Sequence, residues 1–237
     1  MPIAVVPNSE GVFVAWRSVE SQQAGATLSL VNYDQDAHDI LESILDSAKP
    51  SIPEQLRDGC QHLHYLLFSP FRYCQSSVIG TRFGRPNTRG IFYAADFKET
   101  ALVETGYWRT RFLSASEGLR SEQVVSSRTL FSVQLGGVAL DLRQPPYNDD
   151  PQRWMHSSDY SATWEIGDAI RKQENVQMIR YSSVRDPNHH GCVAVFWPKA
   201  FQQNTPLQTE QWIMHAFKQR VVFTQQEKKI EFDFSGT

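Results

Sequence analysis

Arginine, tyrosine, glutamate and serine stand along the middle of this 237-residue chain in a pattern that suits one chemistry. The set is Arg72, Tyr73, Arg82, Tyr93, Glu104, Ser161 and Ser183. Guanidinium groups grip planar anions, phosphates above all, through paired N–H donors. Tyrosine faces can stack on a ring. A single inward carboxylate stabilises a positive, oxocarbenium-like carbon as a glycosidic bond breaks. Such a set suits N-glycosidic cleavage of a nucleotide.

The elements that must position these groups centre on Gly80–Phe112. A loop carrying Arg82, Arg85 and Arg89 leads into the apolar run Ile91-Phe92-Tyr93-Ala94-Ala95, which has strand length and composition. Asp96 followed by Glu99 forms a capping-box pattern that announces a helix. On that helix Phe97, Ala101, Glu104 and Trp108 fall on one stripe, so Glu104 projects from the face expected to be buried. An ionised carboxylate there needs a partner, and an arginine of the preceding loop is the nearest in sequence. The same residues also fit an arginine–glutamate pair that only pins the helix to a sheet. This segment alone does not choose between them.

Upstream, Val12–Trp16 reads as a strand and Asp34–Ala48 as an amphipathic helix. Ser51-Ile-Pro-Glu54 opens a second helix through Leu67. Pro70 ends it, which places Arg72 and Tyr73 on an extended segment. Downstream, Thr129–Gln134 and Val138–Leu142 read as strands joined by a hairpin at Gly136-Gly137. Asp159–Trp164 feeds a helix over Ile166–Arg171, and Ser161 stands near its start, where a hydroxyl can cap the helix or face an anion. Met178–Arg185 and Cys192–Trp197 read as strands around a DPNHHG turn, with further strands at Trp212–Phe223 and Ile230–Phe234. This mixed order implies an α+β fold of twisted mixed or antiparallel sheets with flanking helices. Residues 1–65 form an N-terminal, partly helical extension packed on the core, an accessory layer or a surface for a homo-oligomer. Residues 66–237 are expected to form the domain that carries the Arg, Tyr, Glu and Ser set.

Composition narrows the classes. Hydrophobic residues make up 41% and charged residues 21%, ordinary for a globular chain, and the net charge is −3. No basic stripe collects on one face, which argues against direct nucleic-acid binding. No apolar run reaches membrane-spanning length, no secretory signal is evident, and three unpatterned cysteines point to a reducing compartment; the expected location is cytoplasmic. Phosphate-cradling motifs of the GxGxxG and GxxxxGK[ST] types are missing, as is a GxSxG elbow. His189-His190 reads as turn filler with no third ligand at metal spacing, and His62 and His64 face different sides of a helix, so no metal is expected. Cys74 reads as a core or surface thiol.

Five segments carry a resemblance: PFRY, GTRFGRP, GIFYAADFKETALVE, the DYSATWEIGDAI block and IRYSSVRDPNHHGCVAVFWPKAF. In this order, over roughly Leu66 to Phe201, the chain resembles the RES domain family. The resemblance implies an ADP-ribosyltransferase-like fold. It also implies a toxin of an Xre–RES toxin–antitoxin pair that consumes NAD by cleaving the nicotinamide–ribose bond, with an Xre-type antitoxin covering the site. By position it gives Arg72 and Tyr73 to the family's first Arg-Tyr motif, Arg82 to its RFG segment, and Tyr93 to the central strand. Glu104 takes the glutamate of the following helix, Ser161 the serine at the later helix start, and Ser183 the serine of the RYxS strand. Arg72, Tyr73, Arg82, Tyr93 and Ser161 are thereby implied to bind NAD, and Glu104, Arg72, Ser161 and Ser183 to take part in chemistry. Trp164 departs from the glutamine usual in the family, at the wall of the same pocket. No cofactor is implied beyond NAD as substrate. Water, inorganic phosphate as co-substrate, or a protein (in an ADP-ribosyltransferase) are the acceptors left open, and a catalytically inactive interaction protein of the same fold is the alternative outside enzymes.

Overall fold

The computed structural model describes residues 5–21, 49–73, 80–116 and 123–236, together with 36, 37, 40, 44 and 118. Eight strands make one sheet: β1 (Ser9–Glu20), β2 (Phe92–Ala95), β3 (Val124–Asp141), β4 (Met178–Ser182), β5 (Gly191–Val195), β6 (Gln208–Ala216), β7 (Arg220–Gln225) and β8 (Lys228–Asp233). Their order is β1-β2-β5-β4-β3-β6-β7-β8, with β1 also paired to β3. That extra pairing closes five strands, β1-β2-β5-β4-β3, into a ring. Closure removes the open edges that would otherwise template association. Only β3 and β4 run parallel among these pairs. The remaining strands, β6 to β8, extend from the N-terminal half of β3 as an antiparallel meander. This is an α+β architecture.

β3 is one 18-residue strand, where the glycine pair led us to expect a hairpin. A full-length partner is the reason. β1 pairs with it residue by residue from Ser9↔Ala139 to Glu20↔Arg128, and Gly137 meets Gly11 within the ladder. Gly137 has φ of 108°, and a Cβ there would lie 2.6 Å from Oε1 of Gln177. The same Oε1 accepts the N–H of Val138 at 2.7 Å. The glycine makes room for a side chain that patches the ladder; it does not turn the chain. The strand-like stretch Trp212–Phe223 is, conversely, two strands split at Phe217–Gln219.

The helices whose bounds lie within the described residues are α1 (Glu54–Cys60), α2 (Tyr65–Arg72), α3 (Lys98–Ala115), α4 (Gln152–Met155) and α5 (Ser161–Arg171). Pro70 lies inside α2, which runs on to Arg72; Tyr73 is its extended C-terminal residue. Pro70 is the sixth of eight helical residues, so it forfeits one helical N–H bond near the C-terminal end, and the helix closes two residues later. His64 caps α2, its Nδ1 accepting the Leu66 N–H at 3.3 Å. Neither capping box forms, since α1 and α3 start without side-chain caps. The helix expected at Asp34–Ala48 falls largely outside the described residues, as does Cys74; the described positions Asp36, Ala37, Ile40 and Ile44 are helical.

The core fills the ring and the space under α3. Phe92, Phe131 and Phe201 meet edge to face inside it, with Phe92 and Phe201 ring centres 5.0 Å apart. Leu102 and Leu113 seat α3 on the sheet. Gly167 lets α5 press directly on the arginine loop, because a Cβ there would lie 2.1 Å from the Phe83 carbonyl oxygen. Among the described residues, no helix is long and apolar enough to cross a membrane.

Candidate active site

A cavity of about 180 Å³ opens between α3 and the β1–β2 face of the ring. Its charged lining is Arg17, Arg82, Glu104 and Arg185, and its aromatic lining includes Trp16, Tyr93, Trp108, Tyr160 and Tyr181. Three cations against one carboxylate leave an excess of two positive charges, which suits a ligand with two phosphate charges.

Glu104 sits on the cavity wall. Phe97 and Trp108, at the ends of its helical stripe, are exposed, while Ala101 is buried. The stripe therefore faces a cleft more than the core. The partner of the carboxylate is a serine, not the expected loop arginine: Ser183 Oγ donates to Glu104 Oε1 at 2.6 Å. Burial pushes the Glu104 pKa up, the Ser183 bond and the nearby Arg82 and Arg185 charges pull it back, and Asp186 pushes it up again. The net direction is upward, so this carboxyl ionises less readily than an exposed one.

None of the three arginines of the cavity is paired with a carboxylate among the described residues. Arg82 donates through Nη1 to the carbonyls of Trp154 at 3.0 Å and His156 at 3.2 Å, and lies 4.9 Å over the Tyr160 ring. Arg17 donates to the Tyr93 carbonyl at 2.6 Å. Burial, with Arg128 adding to it, lowers the Arg17 pKa to about 10. Arg185 lies 3.6 Å over the Tyr107 ring and donates to the Ser157 carbonyl. Backbone carbonyls and ring faces orient these guanidinium groups without cancelling their charge. The other loop arginines are spent on structure: Arg85 pairs with Asp168 at 2.6 Å, and Arg89 stacks 4.5 Å over Trp197.

The remaining sequence candidates divide. The Tyr93 hydroxyl bonds Thr81 Oγ1 at 2.8 Å and accepts the Phe83 N–H at 3.2 Å, so its polar end holds the arginine loop while the residue lines the cavity. Trp164 fixes the same loop, its Nε1 donating to the Thr81 carbonyl at 2.7 Å. Ser183 is fully buried behind Glu104. Ser161 is the exposed first residue of α5, its N–H bonded to Asp159 Oδ1 at 2.8 Å, and is not on the cavity wall. Arg72 and Tyr73 are also off that wall. Arg72 lies 5.2 Å over the Phe68 ring, and Tyr73 lines a neighbouring hollow with Tyr65, Leu66 and Glu20. Arg17 lines both the hollow and the cavity and so stands between them.

Arg17, Trp16 and Arg185 are cavity residues that were not among the sequence candidates, and Trp108 was expected only as part of the Glu104 helix stripe. Arg17 and Trp16 lie far up the chain on a strand with no motif of its own, and only β1 pairing brings them to the cavity. Arg185 did carry a signal, standing two residues after Ser183 at the end of a strand. His189 and His190 bond within their own turn, to the Ser183 carbonyl and to Asp186. Cys192 reaches the cavity, but burial holds its thiol well above the ordinary range.

Comparison with curated proteins returned no match. Among solved structures, the chain is similar to one in the crystal structure of the M. tuberculosis MbcT–MbcA toxin–antitoxin complex, at 12% identity, a TM-score of 0.49 and coverage of 85% of each chain. The family model of the RES domain matches residues 57–215, the greater part of the sequence, and the chain belongs to the RES domain family.

Proposed function

We propose that this protein binds NAD in the α3 cavity and cleaves its nicotinamide–ribose bond, acting as a toxin held in check by an Xre-type antitoxin. The observation that carries the reading is the charge arrangement: three oriented guanidinium groups, none paired with a carboxylate among the described residues, line one cavity with a hydrogen-bonded carboxylate. Membership of the RES family and the resemblance set out above supply the substrate and the partner.

In this reading Arg17, Arg82 and Arg185 hold the pyrophosphate, while Tyr93 and the surrounding aromatic walls position nicotinamide and its ribose. As the C1′–N bond breaks, its electron pair leaves with nicotinamide, whose ring nitrogen becomes neutral. Positive charge moves onto the ribose carbon and ring oxygen, where the Glu104 carboxylate stabilises it. The acceptor then adds to C1′ and loses a proton: water yields ADP-ribose, and inorganic phosphate yields its phosphorylated counterpart. Because the Ser183 proton is committed to Glu104, the serine holds the carboxylate and is not itself the acceptor.

The test is to incubate the purified protein with NAD, with and without phosphate, and identify the products by NMR. Free nicotinamide with ADP-ribose, or its 1″-phosphate when phosphate is present, is the expected result. Intact NAD at stoichiometric enzyme would refute the reading.

A further inference from the structure

We propose that Asp186 is a positioning residue: clamped to Thr100 and His190, it sets the turn after β4 so that the Ser183 hydroxyl can donate only to Glu104. Its part in turnover rests on the NAD-cleaving reading; the geometric part does not.

The inference starts from the lone pairs of one oxygen. Ser183 is fully buried, and its Oγ accepts the backbone N–H groups of Arg185 at 3.2 Å and Asp186 at 3.0 Å. A hydroxyl oxygen has two acceptor sites and one proton. Both acceptor sites are filled, so the proton points to Glu104 Oε1, 2.6 Å away. A protonated Oε1 has no acceptor there. The arrangement therefore holds that oxygen as an acceptor, against the burial that favours its protonated form.

What aims the two N–H groups is the turn, and Asp186 is its pin. The side chain is 7% exposed. Its Oδ1 accepts the Asn188 N–H at 2.9 Å, which closes the turn locally. Its Oδ2 accepts the Thr100 hydroxyl at 2.6 Å and lies 2.7 Å from His190 Nδ1. Thr100 and Glu104 are four residues apart on α3 and share a face. The turn is thus tied to the helix at two successive positions, Asp186 to Thr100 and Ser183 to Glu104. Arg17 on β1 lines the same cavity, and the charged and titratable groups acting on Glu104 are Arg82 from the loop before β2, Arg185 and Asp186 from the turn, Tyr181 on β4 and Cys192 on β5. Burial keeps the last two neutral, so the turn supplies the one hydroxyl donor bonded to the carboxylate among the described residues.

The experiment is a carbon-13 NMR titration of the Glu104 carboxyl in the parent, Ser183→Ala, Thr100→Val and Thr100→Ser, with NAD turnover measured alongside. Thr100→Val removes one anchor of Asp186 with no change of charge. Losing the whole Ser183 bond should raise the Glu104 midpoint by about one pH unit or more. Thr100→Val should raise it by a smaller amount in the same direction, and Thr100→Ser should match the parent. Turnover in Thr100→Val should fall about tenfold with KM within about twofold, and its acid limb should follow the NMR midpoint. A folded Thr100→Val with the parental midpoint overturns the proposal. Should that variant not fold, His190→Ala removes the other anchor at a side chain that is 40% exposed, and the same comparison decides. A parent protein that consumes no NAD would sink the functional reading, while the midpoints would still decide the clamp.

Discussion

Two arginine clusters in this molecule do opposite things. Arg180 and Arg143 face Asp96 and Asp141: Arg180 reaches Asp96 at 2.6 Å, and Arg143 reaches Asp141 at 2.7 Å and Asp96 at 3.5 Å. The cations of that cluster are all answered by carboxylates, and it pins the β2–α3 junction to β4 and the end of β3. The cavity arginines, Arg17, Arg82 and Arg185, are answered by carbonyl dipoles and ring faces, while the one carboxylate among them bonds a serine. The first cluster is closed electrostatically and can only hold the fold. The second keeps its charge available to a ligand. An arginine's surroundings, more than its presence, mark it as functional, since a guanidinium is charged in both settings.

Removing charge from each cluster should separate stability from binding. Asp96→Ala strands Arg180 and weakens the hold on Arg143, so it should lower unfolding free energy by about 3 kcal/mol in a denaturant titration. Any fall in NAD affinity should then track only the unfolded fraction. A variant as stable as the parent would show that the closed cluster contributes no net stability. Arg17→Ala and Arg82→Ala should each weaken NAD binding by about 1.5–3 kcal/mol, roughly tenfold to a hundredfold by calorimetry, at a stability loss near 1 kcal/mol. Arg72→Ala, off the cavity wall, is the control and should weaken binding least. Equal losses at all three positions would erase the distinction between the clusters.

The same contrast predicts a pH dependence. The Glu104 pKa is raised in the fold, chiefly by burial, and the proposed chemistry needs the ionised form. Turnover should therefore fall as pH drops through a midpoint above the ordinary carboxylate range of about 4.3. A profile flat down to the ordinary value would mean that the group is not desolvated in solution. The smallest effect belongs to Tyr93. Its hydroxyl faces Thr81 and Phe83, so Tyr93→Phe should cost about 1 kcal/mol of stability and change turnover only severalfold.

Local features of the site were legible in the sequence where neighbours in the chain are neighbours in space. The apolar run before Asp96 is β2, α3 follows it, and Glu104 faces the cavity from the predicted stripe. Features set by distant pairing were not legible. The two glycines of β3 look like a turn until β1 is laid beside them, and Arg17 carries no local pattern that distinguishes it from a surface arginine. Asp96 and Glu99 match a capping box, yet the Asp96 carboxylate is drawn to Arg180 and Arg143, because ion pairing outweighs one cap bond. Ser183 was singled out by residue type and resemblance; that its proton points to Glu104 needed the two backbone N–H groups of its turn.

The central claim is that the Glu104 charge drives bond cleavage in a cavity that otherwise only binds. Glu104→Gln keeps the size of the side chain and an oxygen to accept the Ser183 proton, while removing the charge that burial disfavours. The variant should melt at or above the parent temperature and bind NAD with little change, because the charge matters mainly as the bond breaks. Nicotinamide release from saturating NAD should fall by about 10²-fold or more. A folded Glu104→Gln protein that binds NAD and releases nicotinamide at the parent rate would contradict the account.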